Sequence, residues 1–197
     1  MLWIKHPVTL EGLRIRLVPL ERTHFEELSR LSKHPSIWAF MAVNLGDELV
    51  FRQYLESAVL KRATGEQYPF VVVEKETNKL VGCSMFHTMH QANRKLEIGY
   101  TWYHPDWWGS GINTECKLLM LEYCFEVLKT IRVQFVTDEQ NIRSRHALRS
   151  IGAVEEGILR NERIRHNGIY RNTVMFSIIE SEWPRVKAHL RVRLKPA

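Results

Sequence analysis

A strand-like run from Lys95 to Tyr103 passes through His104-Pro105-Asp106 and the loop Trp108-Gly109-Ser110-Gly111 into an amphipathic helix. This succession of strand, glycine-bearing loop and helix start constrains the chain more than any other feature. The apolar residues Ile112, Cys116, Leu119, Met120, Tyr123, Cys124 and Val127 fall at helical spacing. Glycines let a backbone approach closely, and the unpaired N–H groups and dipole of a helix start favour phosphate. The segment therefore reads either as an ordinary strand-to-helix turn or as an anion cradle for a phosphate-bearing ligand. It is not a P-loop, which needs Lys followed by Ser or Thr where this chain has Ile112-Asn113. Nor is it a dinucleotide fingerprint, which needs a third glycine and an acidic ribose partner further on.

The rest of the chain organises around this segment. Leu13 to Val18 alternates apolar and basic residues and reads as a first strand with one wet face. Pro19 to Ser32 reads as a helix with Thr23 at its N-cap, and Val50 to Ala63 as a second helix. Tyr68 to Glu74 and Leu80 to Phe86 form a hairpin through Thr77-Asn78, and Lys95 to Tyr103 is the third strand of that meander. After the glycine loop and its helix come a strand from Arg132 to Thr137 and a helix from Asn141 to Ile151 that Gly152 stops. Glu155 to Asn161 and Tyr170 to Ile179 close the chain as strands around His166-Asn167-Gly168. The order β-α-α-β-β-β-α-β-α-β-β predicts one α/β domain, residues 1–197, with a mixed, mostly antiparallel sheet. Its core spans about residues 10–184, and 185–197 read as a C-terminal tail.

Bulk properties narrow the function classes. No apolar run reaches the ~20 residues of a membrane span, and the first residues lack a signal-peptide core. Cys83, Cys116 and Cys124 have no metal-ligand spacing, so no metal site is expected, and buried thiols fit a reducing cytoplasm. With 28 Lys and Arg against 22 Asp and Glu, the chain carries a formal charge of +6, which suits an acidic ligand. Much of the excess lies in Arg143, Arg145, Arg149, Arg160, Arg163, Arg165 and Arg171, with Arg185, Arg191 and Arg193 beyond. These read either as a solvated face or as an anion-steering surface. The arginines are not interleaved with aromatics and no helix-turn-helix is present, which weighs against nucleic acid.

In their order and spacing, several motifs together resemble the GNAT acetyltransferase superfamily, and more narrowly its RimJ/RimL-type branch. They are Glu97-Ile98-Gly99-Tyr100, His104 to Gly111, Asn141-Ile142-Arg143-Ser144, Ile151-Gly152-Ala153 and Glu156 to Arg160. The resemblance implies an N-acetyltransferase that uses acetyl-CoA, releases coenzyme A, and acts on the primary amine of a protein N-terminus or small molecule. The family's phosphate loop falls on Trp108, Gly109, Ser110, Gly111, Ile112 and Asn113, with Thr114 following. Trp108 stands where the wider family has Gln or Arg, and Asn113 where it has a small residue. Asn113 or Thr114 is also a candidate helix cap.

In the family the strand before the loop splays from its neighbour and pantetheine lies in the gap. By resemblance Tyr100, Thr101 and Trp102 are nearest the pantetheine, and Asn141 contacts it from the opposite wall, as well as being a candidate N-cap. Many members carry a Tyr at the position of Leu148 to protonate the departing thiolate. In the branch a Ser at the position of Ser144 is the usual candidate, the other reading being a buried hydroxyl bonded to the preceding turn.

A free N-terminal amine titrates near pH ~8, so a modest base suffices to neutralise it. Glu97, facing opposite to Leu96 and Ile98, is the candidate, the competing reading being an ion pair with Arg14, Arg16 or Arg94. His87, His90, Trp38 and Phe40 read as packing or surface residues that could also line an acceptor groove. Asn172 stands where the branch often has Asp. The branch often forms homodimers, through which the tail could pack. A non-catalytic protein that binds or senses acyl-CoA is the alternative function.

Overall fold

Tyr68-Pro69-Phe70-Val71-Val72-Val73-Glu74 is apolar on both faces of its pleat, which only a strand covered from both sides can bury. In the computed structural model all seven residues are buried. The structure describes residues 2–41 and 43–194. Its strands are β1 (Leu10–Glu11), β2 (Ile15–Pro19), β3 (Tyr68–Glu74), β4 (Leu80–His90), β5 (Lys95–Tyr103), β6 (Arg132–Asp138), β7 (Val154–Ile164) and β8 (Tyr170–Ile179). Its helices are α1 (Phe25–Leu31), α2 (Glu48–Thr64), α3 (Ile112–Glu122), α4 (Ile142–Ser150) and α5 (Trp183–Arg193). The strands form one eight-stranded sheet in the order β1-β2-β3-β4-β5-β6-β8-β7. Every pairing is antiparallel except β5 with β6.

The alternation of β3 divides the core. Phe70 and Val72 join Leu96 and Ile98 of β5, Val133 and Phe135 of β6, and Ile112, Cys116, Met120 and Leu121 of α3 in one cluster. Val71 and Val73 face the other way, with Phe25 and Leu28 of α1, Phe51 and Leu55 of α2, and Trp102. The sheet therefore has an α3 face and an α1–α2 face, and the parity of a residue in its strand decides which it serves.

Several sequence expectations need correction. Thr23 is no cap: residues Arg22–His24 form a 3₁₀ turn, Glu21 and His24 cap it reciprocally, and α1 begins only at Phe25. The second helix starts at Glu48 because Asp47 caps it, accepting from the N–H of Val50 at 3.0 Å. Residues 183–193 are a helix and not a tail, with Trp183, Val186 and Leu190 buried at helical spacing in the α3-side core. Lys195 to Ala197 of the expected tail lie outside the described residues.

Candidate active site

The parallel pair β5–β6 is hydrogen-bonded only at its start, Lys95 to Arg132, Leu96 to Val133 and Glu97 to Gln134. Beyond that point Ile98–Tyr103 and Phe135–Asp138 part, leaving two strand edges facing each other across a gap. On its other side β5 slips register against β4, with Met85 opposite Gly99 but Cys83 opposite Trp102. The slip is a bulge at Tyr100, whose φ of 47° is a strained setting for a bulky residue. Gly99 is needed beside it, because a Cβ there would overlap the His87 imidazole.

A cavity of about 660 Å³ occupies the gap and reaches both faces of the sheet. Of the residues expected at the site, Glu97, Tyr100, Thr101, Trp102, Trp108, Gly109, Gly111, Asn113, Thr114, Asn141 and Ser144 all line it. Ser110 and Ile112 do not. The Ser110 hydroxyl donates to the Trp107 carbonyl at 2.6 Å, and the Ile112 side chain is fully buried in the core. These two shape the loop from behind and offer a ligand at most their backbone.

At the glycine loop, Gly109 (φ 75°) and Gly111 (φ 88°) hold left-handed conformations. The Arg14 guanidinium clamps the loop by donating to the Ser110 carbonyl at 2.6 Å. Trp108 donates its indole N–H to the Tyr103 carbonyl at 3.0 Å, and the Arg143 guanidinium stacks 3.4 Å above its ring. The expected capping by Asn113 or Thr114 is not found. Gly111 is the N-cap of α3 and carries no capping side chain, the Ser110 hydroxyl accepts only from the Ile112 N–H, at 3.4 Å, and Asn113 and Thr114 sit inside the first turn. A helix start left uncapped at a cavity wall can receive an anion. Gly111→Val would strain this backbone and crowd the approach, so acetyl-CoA affinity should fall by about tenfold or more. Unchanged affinity by calorimetry would refute that expectation.

Across the gap, Asn141 caps α4, its Oδ1 accepting from the N–H of Ser144 at 3.0 Å. The cap consumes the side-chain carbonyl and leaves the amide NH₂ for a ligand. The Ser144 hydroxyl has no hydrogen-bond partner among the described residues, so it is not tied to the preceding turn.

Glu97 is 5% exposed and faces away from Leu96 and Ile98 as the strand alternation requires. None of the three arginines considered for it is its partner: Arg14 holds the loop and Arg16 bonds Asn78. Its Oε2 accepts from Gln134 Nε2 at 2.9 Å, and its Oε1 lies 3.3 Å from His87 Nε2, without hydrogen-bond alignment. Thr88 Oγ1 and His87 Nδ1, 2.9 Å apart, fix the ring. His87 thus lines the cavity, whereas His90 is exposed and does not. Trp38, 1% exposed, packs 5.5 Å from Trp102 and lines the same side with Phe40, Met41 and Tyr54. Asn172 is tied into the fold, its amide donating to Glu139 Oε2 at 2.8 Å.

Among the cavity residues that the sequence reading did not assign to the site, one is a buried lysine. Lys117 of α3 is buried, with its ammonium 2.6 Å from Thr101 Oγ1 and 3.3 Å from Ser84 Oγ. No carboxylate pairs with it among the described residues, and burial lowers its pKa from 10.5 to about 8.

The model for the acetyltransferase (GNAT) domain matches residues 14–154. A protein named "Putative ribosomal N-acetyltransferase YdaF", from Bacillus subtilis (strain 168), is 36% identical over 104 residues. That match spans 53% of this chain and only 56% of YdaF. The crystal structure of a GCN5-related N-acetyltransferase from Brucella melitensis superposes with a TM-score of 0.88 at 27% identity, over 98% of this chain and 87% of that one. Mycobacterium smegmatis RimJ, in complex with CoA-disulfide, shares the fold with a TM-score of 0.81 at 24% identity, over 95% of each chain. With the family model running from the clamp at Arg14 through the opened strand pair to the start of β7, the chain belongs to the GNAT acetyltransferase family.

Proposed function

We propose that the protein transfers the acetyl group of acetyl-CoA directly to a primary amine on a protein N-terminus or a small molecule. The observation that carries this reading is the unpaired edge of β5 leading straight into an uncapped helix start. A free edge inside a fold is normally a liability, and here an extended amide-bearing chain ending in phosphates would cover it. The residues fit that ligand. The N–H groups after Gly111, flanked by Arg14, take the pyrophosphate, the β5 edge near Tyr100 to Trp102 takes the pantetheine, and the Asn141 amide contacts it from α4. Bound acetyl-CoA supplies the activated acetyl group as a thioester. YdaF's name points to ribosomal proteins as acceptors, and a RimJ/RimL-like role here is consistent with it. Three buried free cysteines accord with work in the cytoplasm.

The chain's own groups then divide the work. Glu97 takes the proton that the amine sheds on attack, with Gln134 donating to its carboxylate and His87 lying beside it. Backbone N–H groups of β5 beside the bulge donate to the acetyl carbonyl oxygen. Ser144 gives its proton to the departing sulfur, the task that Leu148 cannot perform. No cysteine acts as a nucleophile: Cys83, Cys116 and Cys124 are buried, and burial pushes all three thiols up, away from the reactive thiolate.

The test is calorimetric titration with acetyl-CoA, then thiol release over a panel of N-terminal peptides, amino acids and polyamines. Binding with acceptor-dependent release supports the transferase. Binding without release for any acceptor supports an acyl-CoA sensor, and no binding sinks the cofactor reading. Ser144→Ala should lower kcat roughly a hundredfold, the low end for a general acid because a thiol leaves readily, with acetyl-CoA affinity unchanged. Wild-type turnover in that variant would remove Ser144 from the scheme.

A further inference from the structure

The cavity's α1–α2 side ends at a guanidinium that the scheme above does not use. Arg171, at the start of β8, is 5% exposed and lines the cavity. It shares its face of the sheet with Asp138, Gln134 and Glu97, since Val133, Phe135, Val174 and Phe176 of the same strands fill the opposite, α3-side core. Arg171 is therefore on the acceptor's side of the gap, away from the helix start that suits the pyrophosphate.

Its neighbours compensate its charge only in part. Asp138 is the nearest carboxylate, 3.7 Å from Arg171 Nε. Asp138 is already committed to Arg165, which grips it with two bonds of 2.7 and 2.8 Å. Glu162 is held by Arg163 at 2.9 Å and by Thr173 at 2.8 Å. Three arginines thus meet two carboxylates, and Arg171 is the one with no hydrogen bond among the described residues, its buried Nε reaching Asp138 only at ion-pair distance. Burial, then the nearby Arg163, lower its pKa. Buried charges are normally paired, and truncating one partner of such a pair is costly. A guanidinium built into a cavity wall with one distant, shared carboxylate and no hydrogen-bonded anion can still take one from a ligand. The Phe40 ring, 5.7 Å from the Arg165 guanidinium, brings the α1–α2 connection to this end of the cavity.

We propose that Arg171 reads a carboxylate on the acceptor near the reacting amine, so the protein selects acceptors that carry one there over those that do not. This rests on the acetyl-transfer reading for the amine, and on the under-paired guanidinium for the carboxylate. Two sources carry the same group: the α-carboxylate of a free amino acid, and an acidic side chain next to a peptide N-terminus.

Binding separates them without needing turnover. Coenzyme A affinity is measured first. The CoA-saturated protein is then titrated with alanine against alaninamide, and with an amidated tetrapeptide bearing Glu second against its Gln twin. One pair should show a preference for the acid of about ten- to a hundredfold. A preference in the first pair assigns a free amino acid, and in the second a peptide. Arg171→Met should abolish the preference, and Arg171→Lys should keep part of it, with coenzyme A affinity unchanged in both. Equal binding within both pairs, or no binding in either, overturns the proposal, as does a preference that survives Arg171→Met. Should Arg171→Met not fold, the wild-type pairs and Arg171→Lys decide. Failure of coenzyme A itself to bind would instead strike the acetyl-transfer reading.

Discussion

Glu97→Gln is expected to lower kcat by about 10²- to 10³-fold near pH ~7 while acetyl-CoA affinity stays unchanged. Gln occupies the same volume and its carbonyl can still accept from Gln134, so the packing around the strand seam survives. What is lost is the group that accepts a proton. The deficit should narrow as the pH rises toward about 9, because an N-terminal amine titrating near 8 then supplies its own neutral form. A structural role for Glu97 predicts something else, a loss that does not depend on pH and is accompanied by a lower melting temperature. A pH–rate profile of both proteins distinguishes the two, and parallel profiles would exclude Glu97 as the base.

Lys117→Met is expected to stabilise the protein, against the usual direction for a buried substitution. The lysine's pKa drops from 10.5 in the open chain to about 8 in the fold, a cost on the order of 3 kcal/mol. The sign follows from proton counting. Below about pH 8 both states hold the proton and the cost is fully present. Between about 8 and 10.5 the native state has released it while the unfolded chain still holds it, so wild-type stability climbs with pH. The advantage of Met is therefore largest below about pH 8 and shrinks through that window. The two hydroxyls it leaves are not stranded, since Ser84 Oγ and Thr101 Oγ1 already bond each other at 2.7 Å. Urea unfolding across this range tests it, and a less stable Met variant, or a gap independent of pH, would overturn it. A gain in stability paired with a loss of turnover would mark Lys117 as retained for function.

The strands and helices were largely legible because their apolar periods are clean, and the glycine loop because positive φ selects glycine. The motifs carried the family, and the family model agrees. The splay came from the resemblance alone. Nothing in the composition of Glu97–Tyr103 announces that its edge is open, since that depends on where β6 stops pairing. The His87–Glu97 approach was hidden for a similar reason: register slips between His87 and His90 decide which residues face each other. Lys117 was within reach, standing three residues before Met120 and four before Leu121 on the helix's apolar stripe. So was α5, whose Trp183, Val186 and Leu190 repeat at helical spacing. The arginine-rich C-terminal half misled in part, because Arg149, Arg163, Arg165 and Arg191 are spent on Glu155, Glu162, Asp138 and Glu122. Only proximity in space separates them from Arg171, and no sequence spacing encodes it.

The three paired residues at the base of β5 and β6 have a mechanical meaning as well. Among the described residues they are the only strand rungs joining the five strands β1 to β5 to the three strands β6, β8 and β7, so the sheet is two plates joined by a short seam and by the α3-side core they share. A ligand threaded between the plates adds the missing rungs. It should therefore slow amide hydrogen exchange along both facing edges and let the plates open as one unit instead of two. By mass action, saturation at a hundred times Kd adds about 2.7 kcal/mol to the folded state. Under the proposed acetyl-transfer reading, the lifetime of this protein against proteolysis would then gauge how much acetyl-CoA its surroundings contain.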